Sequence, residues 1–156
     1  MNASRARAAA GAALLVAGLA AGAAAGDGER MEILKKGRDA FLSQCLRCHQ
    51  TADEAAAGYR RQPAWRDVVA DMVARGAQLD LAQQEAVVQY LSGRMLLIAK
   101  CSSCHTSNRP LTRNKSLEQW RATVERMVQN MPAPLRPGPA QVEELAQFLA
   151  VERPSL

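Results

Sequence analysis

Every thiol and imidazole of the chain falls in two short stretches, Cys45-Leu46-Arg47-Cys48-His49 and Cys101-Ser102-Ser103-Cys104-His105. Each is C-x-x-C-H, the attachment pattern of c-type haem. The chemistry needs these residue types at this spacing. Two cysteines three positions apart reach the two vinyl groups of one porphyrin edge, and a His directly after the second Cys falls beneath the iron and supplies one axial nitrogen. No cysteine is left over for a disulfide framework and no histidine for another role, which makes the duplicated pattern far more specific than a lone copy. Paired C-x-x-C units can also hold zinc, but zinc would leave the His after each second Cys unexplained in both copies. A thioredoxin-like redox pair would want a βαβ setting, and the chain shows no strand-like alternation.

The elements that must position these motifs are legible as apolar spacing. Glu29 to Cys45 predicts an amphipathic helix running into the first motif, with Ile33, Leu34, Phe41 and Leu42 inward and Lys35, Lys36, Arg38 and Asp39 toward water. Thr51 to Gln62 is small and polar, includes Gly58, and reads as a loop passing the cofactor edge. Ala64 to Arg75 predicts a second helix: Trp65, Val68, Val69 and Met72 share one face, Pro63 suits its start and Gly76 its end. A third helix is expected from about Leu81 to Leu91 with Ala86, Val87, Tyr90 and Leu91 inward, and Ser92-Gly93 reads as a minimal break.

Then the pattern begins again. Arg94 to Cys101 is a shorter lead-in helix, with Met95, Leu96, Leu97 and Ile98, entering the second motif. Thr106 to Lys115 is polar and reads as a loop, and Ser116 with Gln119 has capping-box spacing. Trp120, Thr123, Val124 and Met127 repeat the offsets of Trp65, Val68, Val69 and Met72. Four prolines between Pro132 and Pro139 exclude a helix there, and a last helix from about Ala140 to Val151 carries Val142, Leu145, Phe148 and Leu149. Cys45 and Cys101, Trp65 and Trp120, and Met72 and Met127 are displaced along the chain by nearly the same interval. Tyr90 and Phe148 are displaced slightly more, the excess falling in the proline-rich segment. The expectation is an all-α chain of two tandem small domains, residues 26–92 and 93–156, each of about three helices. Units this small bury only about 60% of their unfolded surface and commonly need a staple; a covalently tethered porphyrin would be one.

Residues 1–25 read as a secretory signal peptide. Arg5 and Arg7 form its basic start, Ala8 to Ala21 its apolar run, and Ala23-Ala24-Ala25 a small-residue cleavage site. The run is too short and too rich in Ala and Gly to be read as a membrane span; an uncleaved N-terminal anchor is the alternative. Export agrees with the haem reading, because c-type haem is attached outside the cytoplasm in bacteria, and it points to a periplasmic protein. The formal charge is +5, and Arg5 and Arg7 account for two of it, leaving +3 from Gly26 onward. With aromatics at 4% and no basic stripe interleaved with them, nothing resembles a nucleic-acid footprint.

On these residues the chain resembles the dihaem cytochromes c built from two small class I-type domains, over essentially all of residues 26–156. In that family a helix before C-x-x-C-H crosses a C-terminal helix carrying an aromatic residue. The resemblance implies that the helix around Phe41 meets Tyr90, and the helix around Leu97 meets Phe148. More narrowly, W-x-x-V-V-x-x-M followed by Y-L is similar to tandem domains of bacterial periplasmic dihaem cytochromes, and more loosely to the haem-binding part of quinohaemoprotein amine dehydrogenases. It implies two haem c groups, tethered by Cys45, Cys48, Cys101 and Cys104, with His49 and His105 as proximal iron ligands.

The distal ligands follow by elimination. No third His exists, and a thioether sulfur is the usual partner of His in cytochromes c. Met1 leaves with the signal, and Met31 and Met95 sit in the helices entering each motif. That leaves Met72 for the first haem. For the second, Met127 is favoured because it matches Met72 in the repeat. Met131 is its rival: Pro132 follows it, and its spacing to Phe148 is close to that between Met72 and Tyr90. Core packing is the other reading of these methionines. Trp65 and Trp120 read as packing residues with an indole N–H to place, and Arg47 and Lys100 as partners for haem propionates or as solvated charge.

The functional expectation is an electron carrier rather than an enzyme: two six-coordinate haems exchanging single electrons with periplasmic redox proteins such as a dehydrogenase, an oxidase or another cytochrome, as a free shuttle or as a subunit of a larger complex. A small haem enzyme or a gas-binding sensor would instead leave one iron open.

Overall fold

The computed structural model describes residues 26–50 and 65–152. The leader expected over residues 1–25, the loop over Thr51–Gln62 and the helix start at Pro63 lie outside the described residues. Contacts divide the chain into Met1–Arg30 and Met31–Leu156, and the packing described below belongs to the second unit. The protein is all-α, and no strand occurs among the described residues.

Helix α1 covers residues 26–44 and passes into a 3-10 turn, Cys45–Arg47, which carries the first motif. Helix α2 is Trp65–Ala74 and α3 is Leu81–Cys101. A short helix α4, Asn108–Leu111, lies in the stretch expected to be loop. Helix α5 is Leu117–Gln129, followed by a 3-10 turn, Ala133–Leu135, in the proline-rich segment, and α6 is Pro139–Val151. The capping box at Ser116 is formed, with Gln119 N–H donating to the Ser116 hydroxyl at 3.2 Å and Ser116 N–H to Gln119 Oε1 at 3.0 Å. Asp80 and Gln83 build the same box at the start of α3, and D-x-x-Q spacing was the signal for it. Gly76, at φ 109°, supplies the left-handed residue that ends α2.

The break expected at Ser92-Gly93 is absent: α3 is a single helix of 21 residues. Its N-terminal part closes the first half, with α2 packed on it; its C-terminal part leads into the second motif and packs on α6, which in turn packs on α5. Gly93 reads in the sequence as a stop, but in the structure it is a contact. A Cβ there would stand 2.8 Å from Phe148 Cδ2, so its absence lets α6 cross α3 closely. Gly37, at the matching place in the first repeat, does the same for α1, where a Cβ would stand 2.1 Å from the Ala86 carbonyl oxygen. The helix around Phe41 does meet Tyr90, with ring centroids 5.5 Å apart, and Tyr90 meets Phe148 at 5.4 Å. The two crossings expected separately thus share Tyr90, and one apolar cluster runs from Phe41 through Leu97 to Leu149.

Two side chains depart from the amphipathic reading of α1. Leu42, expected inward, is exposed, and Arg38, expected in water, is buried. Arg38 Nη1 donates to the Val151 carbonyl, while Nε and Nη2 hold Asp39 Oδ1 at 2.9 and 2.7 Å. Its repeat partner Arg94, also buried, reaches Glu152 Oε1 at 3.2 Å, where the Tyr90 hydroxyl donates at 2.9 Å. A guanidinium on a buried face is stable only when carbonyls or carboxylates meet it, and the end of α6 supplies both. Burial pushes the Glu152 carboxyl above its ordinary range, opposed by Tyr90, Arg94 and Arg38, and burial together with Glu152 pushes the Tyr90 phenol up.

Candidate functional site

Each C-x-x-C-H motif sits where a lead-in helix ends against the core. In both, the first cysteine is half-buried, the second is exposed and the histidine is half-buried. The four thiols form no disulfide. Burial, followed by the neighbouring thiol, pushes Cys45 and Cys101 up. This is opposite to the depressed thiolates of redox-active pairs. Among the described residues no three His, Cys, Asp or Glu side chains gather as a metal cage.

Cys45, His49 and Met72 line one pocket, with Trp65, Val68, Val69 and Leu79 from α2 and the turn after it. The W-x-x-V-V-x-x-M face is what puts them there: Trp65, Val68 and Val69 are buried in the core and Met72 lies one turn further, beside the motif. Cys101, His105 and both candidate methionines, Met127 and Met131, line the other pocket with Trp120 and Val124 from α5. The structure therefore brings together, in each half, a thiol, an imidazole and a thioether that the sequence keeps on separate elements. Cys48 and Cys104 line neither pocket among the described residues.

His105 Nδ1 lies 3.0 Å from the Thr106 carbonyl oxygen. With the proton on Nδ1, that bond fixes the ring and leaves Nε2 unprotonated, the form in which an imidazole binds metal. Met127 is 44% exposed, and Met131 is half-buried in a turn that Arg136 clamps, its Nε donating to the Met131 carbonyl at 2.8 Å and its Nη2 to that of Gln129 at 3.3 Å. Trp120 is buried with its indole N–H unpartnered, a donor open to a group entering from the cavity it lines.

The chain matches no protein-family model, no curated protein and no solved structure.

The pockets differ in size and charge. The second encloses about 330 Å³, within the range of small-molecule and cofactor sites, and the described residues of the first enclose about 30 Å³, room for little more than a water. The second pocket has the apolar walls and the nitrogen and sulfur donors that a porphyrin would need. In the first the donor set is the same, but the space its described lining leaves is too small for one. Of the cations lining the second pocket, the sequence singled out Lys100 at the end of α3 and missed Arg109, Arg113, Lys115 and Arg126, which come from the α4 region and α5. These residues are scattered between Lys100 and Arg126, so no local charge run announces them.

Proposed function

We propose that the chain is a c-type dihaem electron carrier of the periplasm, exchanging single electrons between a dehydrogenase or other oxidoreductase and a downstream acceptor. One observation carries the reading: in both halves the first cysteine and the histidine of C-x-x-C-H share a pocket with a methionine from the following helix, which is the donor set of a His/Met haem. The haem, when bound, supplies a one-electron iron couple. The chain's own part would be to tether it through Cys45, Cys48, Cys101 and Cys104 and to hold its iron with His49 and His105, together with Met72 and with Met127 or its rival Met131. A thioether ligand would raise the potential, and the apolar walls of Trp65, Val68, Trp120 and Val124 would keep water from the metal.

Among the described residues no carboxylate lines either pocket. The test is ligand removal. Met72→Ala should convert one of two haems from low spin to high spin, lower its potential and open it to carbon monoxide; Met127→Ala should do the same to the other, or Met131→Ala if the rival is the ligand. Unaltered spectra in all three variants would contradict thioether ligation and return the reading to an enzyme or a sensor.

A further inference from the structure

After α5 the proline-rich segment is folded in a definite way. Its 3-10 turn is closed by Leu135 N–H on the Pro132 carbonyl at 2.9 Å and by Arg136 N–H on the Ala133 carbonyl at 3.3 Å. From there the Arg136 side chain reaches back. Nε donates to the Met131 carbonyl at 2.8 Å and Nη2 to the Gln129 carbonyl at 3.3 Å. The last carbonyls of a helix have no partner within it and carry the negative end of its dipole, so a cation is favoured there. A cap of that kind needs only the helix end. This one also takes hold of Met131, two residues beyond the end of α5 at Gln129. Met131 N–H donates to the Val128 carbonyl at 3.1 Å, and Pro132 disfavours helical backbone at the residue before it. The main chain of Met131 is thus held at its N–H, at its carbonyl and by its neighbour.

Met131 lines the second pocket with Cys101 and His105, and so does Pro137, the buried residue that follows Arg136. Met127 lines it too, but is 44% exposed, whereas Met131 is half-buried. The first half has no counterpart. The offset that carries Met72 to Met127 carries Gly76 to Met131, and Gly76 is the left-handed residue that ends α2. We infer that Arg136 is a positioning residue of the second site, holding Met131 rather than Met127 as the thioether offered to the pocket. The inference rests on the His/Met reading proposed above. Met127 has helical backbone and needs no clamp, but Met131 lies past the helix end, where only a clamp fixes the chain. Methionine has three rotatable bonds, and one drawn from a fixed turn gives up less freedom on ligation than one drawn from a loose turn.

The test is an imidazole titration of the oxidised full chain, loaded as exported, followed by the weak red charge-transfer band of thioether-bound ferric haem. Imidazole displaces the thioether and bleaches the band. Met131→Ala should remove about half of the band of the parent protein, and Met127→Ala should leave it whole. Arg136→Ala should keep both haems and the band, but the half that Met131→Ala removes should bleach at about fivefold lower imidazole. The other half should titrate as in the parent. Arg136→Lys keeps the cation and loses the fork, so it should also fall short of the parent. Loss of half the band in Met127→Ala instead of Met131→Ala would overturn the inference. So would an Arg136→Ala titration identical to the parent's, or one that moves both halves equally, the mark of a general loss of stability. Arg136→Lys equal to the parent would leave only charge at the helix end and overturn the clamp. Should Arg136→Ala not accumulate with two haems, Arg136→Lys carries the same comparison. A parent without the band would overturn the function proposed above and this inference with it, whereas a band that Met131→Ala leaves whole overturns this inference alone.

Discussion

Around Cys45 and His49 the described pocket lining carries no charged side chain, whereas five cations stand around Cys101 and His105. Beneath that difference the scaffolds repeat closely. Gly37 and Gly93 let helices cross, Arg38 and Arg94 are buried one residue later, and Arg66–Glu85 recurs as Arg121–Glu143. The repeated residues hold helices together and present donors; the residues that differ decide volume and charge at the opening. The comparison separates what builds a site of this kind from what sets its room and its charge.

The sharpest way to break the comparison is at the buried arginines. Arg94 faces Glu152 with both side chains nearly enclosed, at 8% and 11% exposure, while the Asp39 partner of Arg38 is 64% exposed. Arg94→Met should cost about 3–5 kcal/mol, since it leaves a carboxylate buried without its cation. Arg38→Met should cost about 1–3 kcal/mol for an unmet Val151 carbonyl. Chemical denaturation of both variants measures the gap; equal losses would mean that the two positions are not distinguished by their partners.

The glycine crossings come next. Gly37→Ala drives a methyl into backbone, the Ala86 carbonyl, and Gly93→Ala into the buried Phe148 ring. A helix backbone yields less readily than a ring, so the first should cost about 3 kcal/mol or more and the second about 1–3 kcal/mol, each offset by up to about 1 kcal/mol of better helix propensity. Reversal of that order in thermal unfolding would place the tighter crossing in the second half.

Glu152 gives a pH signature peculiar to the end of α6. Burial raises its carboxyl in the folded state, so the folded protein holds that proton to higher pH than the unfolded chain. Stability from this group is therefore full below the ordinary carboxylate range and declines as pH climbs through the raised value. Glu152→Gln, facing Tyr90, Arg94 and Arg38, should flatten that decline in melting temperature against pH, and an identical slope in the variant would contradict it. The smallest effect belongs to the repeated ion pairs. Arg66–Glu85 has exposures of 73% and 44% and Arg121–Glu143 of 35% and 38%. Double-mutant cycles should give about 0–0.5 kcal/mol for the first and about 0.5–1 kcal/mol for the second.

Much of this was legible in the sequence. The motifs, the shared face of Trp65, Val68, Val69 and Met72, and the cap at Ser116 depend on spacing within one helix or one turn, which sequence displays directly. What escaped depended on the other side of a contact. Gly93 looked like a break because its reason is Phe148, on a helix much later in the chain. Arg38 looked solvated because its acceptor is the Val151 carbonyl, and a guanidinium's polarity says nothing about where its acceptor lies. The repeat held a usable signal, since Gly37-Arg38 and Gly93-Arg94 stand at the same offset from each other as Cys45 and Cys101. The continuity of α3 follows from that same pairing, because the residue that would end one unit is also the crossing point of the next.

The claim at the centre is that both halves carry a covalent haem with a thioether on its far side. The most direct measurement is the haem count and the absorption spectrum of the exported protein, oxidised and reduced, with and without carbon monoxide. Two covalent haems per chain, low spin in both states and indifferent to carbon monoxide, are expected. One haem, high-spin iron or a shift on adding carbon monoxide would contradict the equivalence of the two sites, and no haem would return the C-x-x-C-H pairs to zinc.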